Sequence, residues 1–172
     1  ASMTYVGAKV KACDFVGFQS TLVKLPGSTP ELSLINKIHA LNEDSKIDGF
    51  IVQLPLPNHM DEQKILMAIN PDKDVDGFHP TNVGKLSLGL PTFISATPYG
   101  IIELLKRYNV KTSGKHVVVI GRSNIVGRPL SILMSQKGIS GNATVTVAHS
   151  RTQNLSDLTT KADIIVAALG TV

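Results

Sequence analysis

The chain has 172 residues, 42% of them hydrophobic, with 17 Lys and Arg against 13 Asp and Glu, giving a net charge of +4. No apolar run is long enough to span a bilayer, and Ala1-Ser2-Met3-Thr4-Tyr5 lacks the charged-then-apolar pattern of a secretory signal, so no membrane partner is expected. The basic residues are scattered and Trp is absent, which argues against a stacking nucleic-acid surface; the charge reads as a mildly basic solvated surface, part of it open to small polyanions.

Residues 2–13 read as a helix, with Ser2 able to cap it and Tyr5, Val6, Lys9, Val10 and Cys13 recurring at helical spacing. Cys13 is the only cysteine, so it excludes an intrachain disulfide; it fits a reducing compartment, and a cytoplasmic protein is expected. Residues 18–25 read as a strand ending at the Pro26-Gly27 turn. Ser28-Thr29-Pro30-Glu31 has the spacing of a capping box and opens a helix through Leu34, Ile35, Ile38 and Leu41. Residues 49–54 form a short apolar run typical of a strand buried on both faces, and residues 61–69 a further helix. Residues 71–90 are rich in Gly, Pro and Asp and read as a long irregular loop, a kind of segment that often carries function. A helix over 97–108 contains the expected domain boundary. Beyond it come a strand at 117–120, a helix at 125–136, a strand at 143–148, a helix at 155–161 and a strand at 164–168. Such alternation implies parallel βαβ units, so the fold class is α/β with two lobes, 1–98 and 99–172. The chain opens on a helix and stops just past a strand, at Gly170-Thr171-Val172, and both lobes are expected to be incomplete.

Between the strand at 117–120 and the next helix lies Gly121-Arg122-Ser123-Asn124-Ile125-Val126-Gly127. A glycine permits the tight turn, and N–H groups at a helix start favour an anion. Gly127 would let helix and strand pack closely. Ser123 replaces the second glycine of the usual dinucleotide fingerprint, so the same residues also suit a plain strand-to-helix turn. Ser150-Arg151 follows the second strand, where the adenosine ribose meets such a sheet. No Asp or Glu occupies positions 148–152, and Arg122 and Arg151 with the Ser150 hydroxyl suit a 2′-phosphate, so NADP is favoured over NAD.

A second constellation precedes this lobe. Tyr5 and Lys9 are i and i+4 on one helix, so a ring able to stack on a planar ligand sits beside a group able to move a proton. Gln53 ends an apolar run and offers donor and acceptor together. Asp76 precedes Gly77 in the long loop, and its carboxylate could accept paired N–H bonds from an aminopyrimidine ring. Each also has a plainer reading, as a helix face, a polar strand end and an Asp-Gly turn. Asp72, Asp74 and Asp76 do not complete an EF-hand, and no metal is expected. His79 and His149 are alternative acid–base candidates without a recognisable nucleophile nearby.

Five segments, taken together and in order, resemble the bifunctional methylenetetrahydrofolate dehydrogenase/methenyltetrahydrofolate cyclohydrolase family. They are Ser2-Met3-Thr4-Tyr5-Val6-Gly7-Ala8-Lys9-Val10-Lys11-Ala12, Gly49-Phe50-Ile51-Val52-Gln53-Leu54-Pro55-Leu56-Pro57, Pro71-Asp72-Lys73-Asp74-Val75-Asp76-Gly77-Phe78-His79, Gly121-Arg122-Ser123-Asn124-Ile125-Val126-Gly127-Arg128-Pro129 and His149-Ser150-Arg151-Thr152. The resemblance implies a small folate-binding α/β lobe followed by a Rossmann-like, doubly wound parallel-sheet lobe for NADP. It implies that Lys9 is the catalytic lysine, Tyr5 the residue stacking on folate and Asp76 the pterin anchor. Gln53, within Val52-Gln53-Leu54-Pro55, would bind substrate and support the lysine, so Tyr5, Gln53 and Asp76 stand with Lys9 as the catalytic set. Gly121, Arg122, Ser123, Gly127, Ser150 and Arg151 would bind the cofactor. The implied activity is oxidation of methylenetetrahydrofolate followed by hydrolysis of the methenyl product, in a homodimer acting on tetrahydrofolate derivatives.

Ser95-Ala96-Thr97-Pro98 departs from the family's usual Pro-Cys-Thr-Pro, and the loop Lys137-Gly138-Ile139-Ser140-Gly141 is longer than expected. Two other readings stay open: a dehydrogenase alone, which the presence of both Tyr5 and Lys9 argues against, and a non-catalytic folate- or nucleotide-binding module.

Overall fold

The computed structural model describes residues 2–169, with side chains from residue 4 onward. The Ser2 side chain and the end at Gly170-Thr171-Val172 therefore lie outside the described part. The chain forms two compact units, residues 1–30 and residues 31–172.

The first unit holds helix α1 (Ser2–Phe15). Val6, Lys9 and Cys13 form its half-buried stripe, spaced three and four apart, while Tyr5 and Val10 are exposed. The strand expected at 18–25 does not form. A strand needs a neighbour for its N–H and C=O groups, and no ladder reaches these residues among those described. The turn at 26–29 does form, closed by Thr29, whose backbone N and hydroxyl both donate to the Pro26 carbonyl (3.0 and 2.7 Å).

The second unit begins with α2 (Glu31–Glu43) and α3 (Glu62–Ala68). Their apolar stripes, Ile35 and Ile38 on one and Ile65 and Ile69 on and just past the other, make a buried cluster flanked by Phe50, Val52 and Leu56. Asp61 caps α3 by accepting from Lys64 N at 3.1 Å. Lys73 Nζ donates to the Leu41 and Asp44 carbonyls (3.0 and 2.8 Å), placing a cation at the C-terminus of α2. The buried strand expected at 49–54 reduces to one parallel bridge, Phe50 to Asp74. Pro55 and Pro57 follow within a few residues, and proline has no N–H with which to extend a ladder.

The loop expected over 71–90 contains a helix, α4 (Pro80–Ser87). Its start is specified locally: Pro80 lies in the first turn and His79 Nδ1 accepts from Thr81 N at 3.1 Å. The rest is held by a buried knot. Asp74, 2% exposed, accepts from His79 N (2.8 Å) and from Asn82 Nδ2 (2.9 Å). The same amide nitrogen donates to the Pro71 carbonyl (2.9 Å), and Thr92 Oγ1 donates to Asn82 Oδ1 (3.0 Å).

Helix α5 (Ala96–Arg107) leads to β1 (His116–Ile120), α6 (Gly127–Ser135), β2 (Thr144–Ala148), α7 (Leu155–Thr159) and β3 (Ile164–Ala167). The three strands are parallel in the order β2-β1-β3, with Val118 opposite Thr146 and Ile165. The strand order reverses at β1, so the carboxyl edge there is a topological switch point, where open α/β sheets hold their ligands. Val117 and Val119 pack against Leu130 and Met134 of α6 and Ile102 of α5, and β1 is fully buried across its three central valines. The opposite end is tied by Asp163, which accepts from Lys115 Nζ and His116 N, each at 2.8 Å. Lys115 first, and then the His116 amide, hold the Asp163 carboxyl below its ordinary range.

Asn82→Ala removes the centre of the knot, leaving a nearly buried carboxylate and the Thr92 hydroxyl short of partners. A loss of about 2–3 kcal/mol is expected, read as a lower urea midpoint at unchanged slope. Glu31 bridges α2 and α3 by accepting from Asp61 N (2.7 Å) and Lys64 Nζ (2.6 Å). The Asp61 amide, then Lys64, lower its pKa. A carboxyl depressed on folding stabilises the protein above its ordinary pKa, and loses that contribution as pH falls through the folded value. The stability gap between the protein and its Glu31→Gln variant is therefore expected to be present near neutrality and to close in acid. A gap unchanged by acid titration would contradict this account.

Candidate functional site: a nucleotide loop and a substrate-side turn

The end of β1 turns sharply at Gly121, whose φ is +132° and whose amide donates to the Ala148 carbonyl at 2.8 Å. A β-carbon at Gly121 would fall 2.2 Å from the Ala168 carbonyl oxygen, and one at Gly127 would fall 2.1 Å from the Gly121 oxygen. Both positions therefore require glycine. The backbone at the carboxyl edge of β1 is left bare and close to the start of α6, the arrangement a dinucleotide phosphate needs.

The expectation that the first N–H groups of α6 point outward holds only in part. Ser123 Oγ accepts from Val126 N (3.1 Å) and Gly127 N (3.4 Å), so a side chain within the loop already serves two of them. This also explains why α6 begins at Gly127 and not at Ile125: residues 124–126 form the turn that Ser123 closes. Arg122, Ser123 and Asn124 are exposed, and Arg128 donates to Asn124 Oδ1 at 2.9 Å along the loop's outer side.

Beyond β2 the chain folds into a second small turn. His149 N donates to Thr152 Oγ1 (2.8 Å), and His149 Nδ1 accepts from Arg151 N (3.2 Å). Ser150 and Arg151 are thereby presented, both exposed, at the carboxyl end of the strand beside β1. This turn holds no acidic residue and carries the positive charge of Arg151 with the hydroxyl of Ser150.

On the substrate side, the Phe50–Asp74 bridge and the bond from Phe50 N to the Lys73 carbonyl (2.9 Å) join the segment leading to Gln53 to the segment leading to Asp76. Gln53 and Asp76 are thus carried by neighbouring segments. Gln53 Nε2 donates to the Leu54 carbonyl (2.9 Å), and the Leu54–Pro55 peptide is cis. Val52, Gln53 and Leu54 are half-buried and Pro55 is exposed. Asp76 is half-buried at a turn closed by Gly77, whose φ is +68° and whose missing β-carbon would lie 2.5 Å from the Phe93 carbonyl oxygen. In the first unit, Lys9 Nζ stands 4.6 Å from the centroid of the Tyr5 ring, so the i, i+4 pair is in direct cation–π contact.

Two shallow cavities of about 160 and 290 Å³ lie beside residues 136–141 and beside Asn82 and Thr92; none of the nominated residues lines either. Among the described residues no cluster of three His, Cys, Asp or Glu is placed to hold a metal, and Asp74 is held in the buried knot. His79 and His149 both accept a backbone N–H through Nδ1, which makes each a turn-forming group. The buried polar side chains not nominated as site residues from sequence are Asp74, Asn82, Ser95 and Thr112; Ser95 and Thr112 are paired with carbonyls about thirty residues away, at Ile125 and Gly141, which no local pattern marks.

Two family models match the chain. The catalytic domain of tetrahydrofolate dehydrogenase/cyclohydrolase matches residues 1–76, and its NAD(P)-binding domain residues 95–172. Bifunctional protein FolD of Flavobacterium psychrophilum is 65% identical over 170 residues, covering 99% of this chain and 58% of the relative. That of Cytophaga hutchinsonii is 61% identical, covering 99% and 59%. The chain thus spans somewhat under three-fifths of the length of these curated relatives. Among solved structures, the bifunctional FolD methylenetetrahydrofolate dehydrogenase/cyclohydrolase of Campylobacter jejuni is similar at a TM-score of 0.93 and 45% identity, over 99% of this chain and 60% of that one. The Trypanosoma brucei N5,N10-methylenetetrahydrofolate dehydrogenase-cyclohydrolase, solved with NADP cofactor and inhibitor, is similar at a TM-score of 0.91 and 38% identity, over 99% and 57%. With domain models of the same family over residues 1–76 and 95–172 and relatives matching almost every residue, the chain belongs to the tetrahydrofolate dehydrogenase/cyclohydrolase family.

Proposed function

We propose that the protein carrying this sequence oxidises 5,10-methylenetetrahydrofolate with NADP and hydrolyses the resulting methenyl compound to 10-formyltetrahydrofolate. The observation that carries the reading is the parallel sheet turning at Gly121, with Arg122 beyond β1 and Ser150-Arg151 beyond β2. In this reading residues 1–98 serve the folate and residues 99–172 the nucleotide, a division supported by the separate domain models over 1–76 and 95–172. A homodimer in the cytoplasm acting on tetrahydrofolate derivatives completes the proposal, supported by family membership.

NADP, when bound, supplies the hydride acceptor. Gly121 and Gly127 leave the backbone bare for its phosphates, Ser123 sets the shape of the loop, and Arg122, Ser150 and Arg151 supply charge and donors for the 2′-phosphate. The fit rests on the tight turn from Gly121 to Gly127 at the carboxyl edge of β1, with the exposed Arg122, Ser150 and Arg151 at the ends of adjacent strands. On the folate side, Asp76 is proposed to accept N–H bonds from the pterin and Val52, Gln53, Leu54 and Pro55 to line the ring. Tyr5 is proposed to stack on it, with Lys9 assisting proton movement as water adds to the methenyl carbon. Hydride transfer asks mainly for positioning, whereas hydrolysis needs a proton carrier, so the two steps depend on different residues.

In the full-length protein, Lys9→Met is expected to lower methenyl hydrolysis by about 10²–10⁴-fold while methenyl formation with NADP continues. Following both reactions in one spectrophotometric series separates the outcomes; a parent protein that performs neither leaves only a binding function. For Arg122→Ala, the loss of a charge-assisted phosphate contact predicts a rise of about 10- to 100-fold in the KM for NADP, with the KM for NAD little changed. Equal rises for both cofactors would argue against Arg122 as a 2′-phosphate contact.

A further inference from the structure

Ser95 stands at the N-cap position of α5, with φ −50° and ψ 133°, but its side chain makes no capping bond to that helix. A serine at this position ordinarily accepts from the second or third helical N–H. Here Ser95, 5% exposed, donates its hydroxyl to the Ile125 carbonyl at 3.0 Å, thirty residues along the chain. Ile125 lies within the turn that Ser123 closes, three residues beyond Arg122. The other side of the same short segment meets the substrate side. Gly77 approaches it so closely that a β-carbon would lie 2.5 Å from the Phe93 oxygen and 3.4 Å from Ser95 N. Residues 93–95 are therefore packed between the Asp76-Gly77 turn and the loop over 121–126, touching one through backbone and the other through a single buried hydroxyl.

We infer that Ser95 is a positioning residue for hydride transfer, its hydroxyl bracing the cofactor loop against the segment that backs the Asp76 turn. The inference rests on the proposed function of these two loops and adds a residue to it. The chemistry explains why one hydrogen bond would matter. Hydride transfer requires donor and acceptor carbons held about 3–3.5 Å apart, so a small shift of one loop relative to the other reaches the rate directly. Hydrolysis of the methenyl compound involves no second ligand, and so does not depend on that spacing. Nothing else in the side chain's surroundings accounts for the bond, since α5 is begun by the Ser95 carbonyl, which accepts from Tyr99 N at 3.1 Å with or without the hydroxyl.

The test is Ser95→Ala in the full-length protein, a change that removes one oxygen and leaves the backbone cap in place. Methenyl formation with NADP is expected to fall about three- to tenfold in kcat/KM for NADP, the loss of one ordinary hydrogen bond expressed in the transition state. Methenyl hydrolysis, measured on the same preparation without cofactor, is expected to stay within about twofold, and thereby also reports that the variant is folded. Two results overturn the inference: hydride transfer unchanged in the variant, or both reactions lowered by the same factor, which would make Ser95 a general structural residue. If the unsubstituted full-length protein forms no methenyl product at all, the proposed function fails first and the role of Ser95 falls with it.

Discussion

The close approach of α6 to the end of β1 is the constraint on which the second half of the molecule depends. Gly121 and Gly127 each lie where a β-carbon would overlap a backbone oxygen. The Gly127 contact, with the Gly121 oxygen, lets a helix start directly over the carboxyl edge of the sheet, while the Gly121 contact, with the Ala168 oxygen, sets β1 against the residue just past β3; the hydrophobic faces complete the packing, Val117 and Val119 against Leu130 and Met134. The strand order reverses at the same place. The bare backbone that allows the approach is also the kind of edge at which open α/β sheets hold phosphate groups.

The region around α4 is organised by different physics. Apart from the buried Leu86 of α4, it is held by polar groups satisfying one another. Asp74, Asn82 and Thr92, with the His79 amide and the Pro71 carbonyl, form a network, and among the described residues no buried side-chain nitrogen or oxygen is left without a partner. Such a network is costly to disturb, and it anchors the Asp76-Gly77 turn through Asp74, whose carbonyl accepts from Gly77 N at 3.1 Å. The two loops meet at residues 93–95, whose backbone lies against Gly77 and whose Ser95 hydroxyl donates to the Ile125 carbonyl.

The elements most legible in the sequence were those whose cause is local. Helices α1, α2, α3, α5, α6 and α7 and all three sheet strands fall within a few residues of the reading from periodicity and turn residues. The failures share a reason. Residues 18–25 and 49–54 have strand-like composition, but a ladder is a property of two segments, and composition reports one. Helix α4 was hidden by its glycine and its short apolar face, although Pro80 at its first turn was a usable local signal.

The candidate site divides the same way. Residue types and spacing by themselves gave chemically capable candidates, Lys9 four residues after Tyr5, an aspartate before Gly77, and Gly121 and Gly127 around basic and hydroxyl groups; their folate roles followed from the family resemblance. Tertiary structure alone decided what those side chains do before any ligand arrives. It put the Ser123 hydroxyl on the first amides of α6, turned the ring nitrogens of His79 and His149 into backbone acceptors, and took the Ser95 hydroxyl away from its own helix to Ile125. The physical reason is that chemical capacity belongs to a residue and is written in the sequence. A hydrogen bond belongs to a pair, and its second member is chosen by the fold.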